Sequence, residues 1–135
     1  MGLLYNFALT LSTEGRRALR QRAGLRGYYE VSRPDMTPDQ VEAAFDLSVR
    51  SAERAVQRQV SHHPLTQAQF DALVSYTHNL GAGGAMLVLR RIDCGDLDGA
   101  ADAMLRNISA PVAGRLVPHA GLAARRKEES APFRA

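Results

Sequence analysis

The sequence predicts a mainly α-helical fold in one domain, and three observations predict it. The chain has 135 residues with 45% hydrophobic content, enough for one core that buries roughly two-thirds of the unfolded surface and too little for two. Two segments, Thr37-Pro38-Asp39-Gln40 and Thr66-Gln67-Ala68-Gln69, carry the start signal of a capped helix. Apolar residues recur at three- and four-residue spacing over most of the length, and no run alternates as a half-buried strand does.

In chain order, Ser12 or Thr13 can cap a first helix that runs to about Arg22 and ends near Gly24 and Gly27. Thr37 caps the second, Pro38 suits its first turn, and Val41, Phe45, Val49, Ala52, Val56 and Val60 form one apolar stripe. After Thr66, the residues Phe70, Leu73, Val74, Thr77 and Leu80 give a face that stops at Gly81, so this helix should lie deep. A short helix over Met86–Arg91 follows, then one capped by Asp96 that holds Ala100, Ala101, Met104 and Leu105. Pro111 and Pro118 bracket a loop before a last helix, rich in Arg and Glu, that begins after Gly121. The turn-rich stretch from Gly24 to Met36 is the one organisational break, dividing residues 1–36 from 37–135 within a single domain over 1–135.

The net charge is +3, with Arg16, Arg17, Arg20, Arg22 and Arg26 grouped near one end. Such a surface attracts a polyanion, through Arg16, Arg17 and Arg20 first, although no nucleic-acid signature accompanies it. Solvated helix faces account for the same arginines. Cys94 is the single cysteine, which leaves no internal disulfide or thiol pair and reads as a small buried apolar side chain. The apolar start, Met1 to Thr10, lacks a basic lead and a cleavage site and is far short of the ~20 residues that span a bilayer. It reads as an ordered leader packed on the domain, with no signal peptide and no membrane span.

The run from Leu65 to Gly81, LTQAQFDALVSYTHNLG, closely resembles the central helix of the phage-type lysozymes, the muramidase endolysins. The likeness continues in the family's order through Leu89-Arg90-Arg91, Gly95-Asp96, Gly99-Ala100-Ala101, Gly121-Leu122, Arg125-Arg126, Glu129 and Phe133. Upstream, Ser12, Gly15, Gly24, Arg26 and Tyr29 match with about one residue deleted. The resemblance implies a lysozyme-like helical lobe, a peptidoglycan substrate and no cofactor. It also implies a phage-encoded protein made in the host cytoplasm, with the periplasm, cell wall or virion as destination.

The departures fall on the chemistry. Ala23 stands where the family has its general-acid glutamate, Glu30-Val31 where it has the aspartate, and Asp35-Met36 runs almost directly into the second helix, so the small β-lobe is reduced or missing. Glycoside hydrolysis needs a carboxylic acid to protonate the leaving oxygen and a second carboxylate or positioned water at the oxocarbenium-like centre. Alanine supplies neither. Glu30 is the best replacement candidate, against its reading as an ordinary loop glutamate; Glu14 and Asp35 are weaker. Tyr29, Asn79 and Arg125 match family positions and are candidate substrate contacts, although Asn79 and Arg125 also read as braces of the helical lobe.

Among the histidines, His62-His63 at a helix end should meet terminal carbonyls, and His119 sits in the loop after Pro118. No spacing among His62, His63, His78 and His119 suggests a metal site. His78 replaces a residue that the family keeps apolar and reads either as a hydrogen-bonded core histidine or as the lining of a polar pocket. Asn107 stands where the family tends to have tryptophan, and the chain contains no Trp. Two functions follow: an endolysin-type protein with impaired hydrolysis whose partner is peptidoglycan, or a lysozyme scaffold repurposed as a non-enzymatic protein-binding or virion structural module.

Overall fold

The computed structural model describes residues 6–23 and 35–134. Five helices and one hairpin make up the described fold: α1 (Thr13–Ala23), α2 (Pro38–Gln59), α3 (Gln67–Asp93), α4 (Leu97–Arg106), β1 (Ser109–Val112), β2 (Arg115–Pro118) and α5 (Ala120–Ser130). Single 3₁₀ turns lie at Asn6–Ala8 and Ala131–Phe133.

Helix α3 is the centre, and α1, α2, α4 and α5 all pack against it. Its apolar face buries Phe70, Leu73, Val74, Val88, Leu89 and Ile92 against Phe45, Val49 and Val56 of α2, Leu19 of α1 and Met104 of α4. The two capping boxes form as the sequence predicts. Thr37 Oγ1 accepts from Gln40 N and Gln40 Oε1 from Thr37 N, and Thr66 and Gln69 repeat the exchange at 3.1 and 3.0 Å. Each satisfies two amides that the first turn otherwise leaves without acceptors.

The central helix α3 is two helical segments joined by a kink. The helix from Gln67 breaks at Gly81, as the sequence predicts, because Gly81 leaves helical geometry at φ 79° and ψ 163°, and a second helical segment, longer than the expected Met86–Arg91, resumes directly. That conformation is open essentially only to glycine, so one residue kinks the axis and the chain continues to Asp93.

The loop expected between Pro111 and Pro118 is an antiparallel hairpin pairing Ser109 with Pro118 and Val112 with Arg115. The turn residues Ala113 and Gly114 both have positive φ, 51° and 80°, the hand that suits a two-residue connection between right-twisted strands. Four-residue strands are too short to show alternation in sequence, and Leu116 of β2 is 77% exposed.

Further differences concern single residues. Cys94 is the exposed C-cap of α3 rather than a core side chain. His119 is not a free loop residue: its Nδ1 accepts from Gly121 N and Leu122 N and so caps α5. His62 turns to Asp93 instead of terminal carbonyls, while His63 offers its own carbonyl to Asn6. Burial opposes ionisation of Asp93, but the backbone amides of His62 and Ser61 and the His62 ring hold its carboxyl below the ordinary range.

The segment before α1 packs on the domain from Asn6 onward; Met1–Tyr5 of the expected leader lie outside the described residues. Asn6 is buried and ties together the turn between α2 and α3, donating to the carbonyls of Val60 and His63 and accepting from Leu65 N at 3.0 Å. Ser12 caps α1 through Gly15 N and donates both its amide and its hydroxyl to Asp71 of α3. A Cβ on Gly15 would meet the Asp71 carboxyl at 2.7 Å, so the glycine sets how closely α1 approaches α3.

Candidate functional site

Helix α1 ends at Ala23, and the residue beside it, Arg22, connects that end to the rest of the molecule. Its guanidinium donates to Ser75 Oγ in α3 at 3.0 Å and to Glu128 Oε2 in α5 at 2.6 Å. Ser75 is buried, and its hydroxyl donates to Glu129 Oε2 at 2.5 Å. A buried hydroxyl without partners is costly, and here the serine is satisfied from two helices at once.

Glu129 organises the remainder. Its two oxygens accept from Arg125 Nε at 3.1 Å and Arg126 Nη1 at 2.7 Å, and the Arg126–Glu129 pair is 1% and 0% exposed. Arg125 Nη2 also donates to the Ser75 carbonyl at 3.0 Å. Arg126 uses Nε on the Asn107 carbonyl, donates from Nη2 to Asn79 Oδ1, and stacks its guanidinium 5.0 Å from the Tyr76 ring centre. Burial pushes the Tyr76 phenol up and the Arg125 guanidinium down from their ordinary values, with Glu129 opposing the shift on Arg125. Such a pair is tolerable out of water only because nearly every donor finds an acceptor.

The sequence-predicted residues divide accordingly. Asn79 and Arg125 are brought into this one network, Asn79 through Arg126 and Arg125 through Glu129 and Ser75. Tyr29 and Glu30 lie outside the described residues, as does the expected reduction of the β-lobe. Asp35 is exposed in a turn before α2. Glu14 is in the first turn of α1, nine residues from Ala23 and so roughly 13 Å away along the axis at ~1.5 Å per residue.

His78 lies one turn along α3 from Ser75. Ser48 Oγ donates to the Phe45 carbonyl at 2.7 Å, so it accepts from His78 Nε2, 2.8 Å away, and the ring meets Phe45 edge-on with centroids 5.9 Å apart. Burial, and then the Arg125 charge, push the His78 imidazole below its ordinary value.

Reading the sequence identified Arg125, Arg126 and Glu129 separately and missed their convergence on Ser75 and Arg22. The available signal was the i, i+3 and i, i+4 spacing of the two arginines to Glu129. The expected polyanion surface is altered: Arg16 and Arg20 pair with Asp46 and Glu42 and lie over the Phe45 ring, and Arg17 is exposed. Among the described residues, no three His, Cys, Asp or Glu side chains gather as a metal site, and no helix is long and apolar enough to cross a membrane.

Residues 17–129 match the Phage lysozyme family model. The chain is 32% identical over 100 residues to the endolysin of Acyrthosiphon pisum secondary endosymbiont phage 1, covering 73% of this chain and 68% of that protein. Its structure is similar to the muramidase domain of SpmX from Asticaccaulis excentricus, with a TM-score of 0.72, 30% identity, and coverage of 92% of this chain and 97% of that one. It is also similar to the endolysin from Escherichia coli O157:H7 phage FAHEc1, with a TM-score of 0.76, 28% identity, and coverage of 93% and 94%. The helical scaffold and the ordered sequence blocks therefore agree, and the chain belongs to the phage lysozyme family.

Proposed function

We propose that this chain is a phage-encoded protein that engages bacterial peptidoglycan at the host cell wall with little or no hydrolysis of it. One observation carries the reading: the last residue of α1, where the family resemblance puts the general acid, is Ala23. The described carboxylates that reach Arg22, Arg125 and Arg126 are Glu128 and Glu129, and both accept hydrogen bonds from those guanidiniums. That arrangement suits a brace better than a proton donor. Loss of a general acid alone removes ~10²- to 10⁴-fold in rate.

Release of reducing sugar ends from purified peptidoglycan, measured beside co-sedimentation with the same material, tests the proposal. Sedimentation without release between pH 4 and 8 is the expected result. Ala23→Glu alone restores only a small part of turnover, because the second carboxylate must also be positioned around the same bond. Robust release that Glu30→Gln abolishes and Glu14→Gln does not would assign Glu30 as a relocated acid and reject the reading.

A second reading, a module that binds another protein, draws support from the hairpin, where Val112, Leu116 and Val117 are exposed together. Retention of a defined protein from phage-infected cells, with no sedimentation on peptidoglycan, would favour it.

A further inference from the structure

Between the kink of α3, the hairpin and the start of α5 lies a cavity of about 370 Å³. Asn79, Leu80, Asn107, Ala110, His119 and Leu122 line it, together with Ser109 and Arg126. The volume is at the small end of the ~300–1,000 Å³ typical of ligand sites. The hydrogen bonds around it define what its walls can offer.

Arg126 only donates, so the Asn79 atom facing it is the carbonyl oxygen, which leaves the Asn79 NH₂ as that side chain's available group. Asn107 donates its NH₂ to the Tyr76 hydroxyl at 3.3 Å, which leaves its Oδ1 as an acceptor. His119 Nδ1 accepts two backbone amides, so the proton of the neutral ring is on Nε2, a donor. Leu80, Ala110 and Leu122 add apolar surface. The charge of Arg126 is directed into Glu129, so the cavity has no uncompensated cation to select an anion.

We infer that this cavity binds a secondary amide carrying a small apolar group. The amide carbonyl accepts from Asn79 Nδ2 or His119 Nε2, its N–H donates to Asn107 Oδ1, and its methyl rests on Leu80 and Leu122. Two sources present this chemistry in peptidoglycan, the acetamido group of an amino sugar and an alanyl peptide bond. The inference rests on the peptidoglycan reading for its biological ligand, while the site itself follows from the wall chemistry.

The test is an NMR titration of the full chain, following the side-chain NH₂ signals of Asn79 and Asn107 and the His119 ring. The probes are triacetylchitotriose, N-acetyl-L-alanine methylamide and cellotriose, which has similar rings and no acetamido group. Saturable shifts at these residues with an amide probe, and none with cellotriose, support the site, and the tighter amide probe identifies the source. Asn79→Asp keeps an acceptor for Arg126 but removes the NH₂, and His119→Ala removes the other donor; the change at the residue that donates to the amide carbonyl should weaken binding about tenfold, the effect of one hydrogen bond. Asn107→Trp should fill the cavity and abolish the shifts, with a circular dichroism melt verifying folding. Equal response to cellotriose, no response to any probe, or undiminished binding by both folded Asn79→Asp and folded His119→Ala overturns the assignment. Co-sedimentation with peptidoglycan but no cavity shifts rejects the site and leaves the peptidoglycan reading standing. Cavity shifts without co-sedimentation support the site and reject that reading.

Discussion

The Ser75 hydroxyl donates to the Glu129 carboxylate at 2.5 Å across a sequence separation of 54 residues, and both side chains are buried. This bond joins the middle of α3 to the last turn of α5 at the point where Arg22 arrives from α1. The carboxylate is therefore the negative centre of a three-helix junction.

Glu129→Gln should be among the more damaging single changes in the chain. It leaves Arg126, 1% exposed, without its ionic partner, and breaking a buried pair from one side costs about 3–5 kcal/mol. Urea unfolding monitored by far-UV circular dichroism measures this, with a loss below ~1 kcal/mol contradicting the assigned role.

His78 should make stability depend on pH in one window. The unfolded imidazole titrates near ~6.5, and the folded one lower, because burial and then Arg125 disfavour its charged form. Above ~6.5 both states are neutral and the group contributes no pH dependence. As pH falls below it, the unfolded chain takes up the proton first, so stability declines until the folded pKa is passed. His78→Gln keeps a donor for Ser48 and removes the titration. Its urea midpoint should fall less between pH 7 and 5 than that of the parent, and identical slopes would refute the assignment.

Gly81→Ala should destabilise the fold by roughly 1–3 kcal/mol through the backbone alone. A Cβ there meets nothing within 4 Å, so no clash contributes, and the cost is the φ of 79°. Full tolerance in a thermal melt would mean that the kink relaxes to straight helix.

Phe70→Ala removes a fully buried ring from the first turn of α3 and should cost about 3–5 kcal/mol, whereas Leu116→Ala at the exposed hairpin should stay within ~0.5 kcal/mol. Comparable losses at both positions, measured by urea unfolding, would show that the hairpin is buried in solution.

The helical scaffold was legible because its signals are local. Thr37 with Gln40, Thr66 with Gln69, and Asp96 with Gly99 are contacts within one turn, and the stripes of α2 and α3 are periodic. The hairpin was not legible, since its turn depends on positive φ at Ala113, a residue that does not ordinarily favour that conformation. The Cys94 expectation failed because a helix C-cap can be solvent-facing whatever the side chain's usual preference. Of the candidate site, Arg125 and Asn79 could be identified as positions, but their partners could not, because Ser75 is 50 residues from Arg125 and Asn79 is 47 from Arg126. Pairings across such distances are properties of the packed helices and leave no mark on neighbouring sequence.

Those same separations set an order of assembly. Helices α2 and α3 are consecutive, joined by a short turn, and can pair as soon as both have left the ribosome. Arg22 must wait for Glu128, 106 residues later, and until α5 emerges the Ser75 hydroxyl lacks the Glu129 carboxylate that accepts its hydrogen bond. A nascent chain ending before α5 can therefore collapse around α3 and still lack the brace. The region where α1 ends is completed only after α5 has been made, by a residue 106 positions downstream of Arg22.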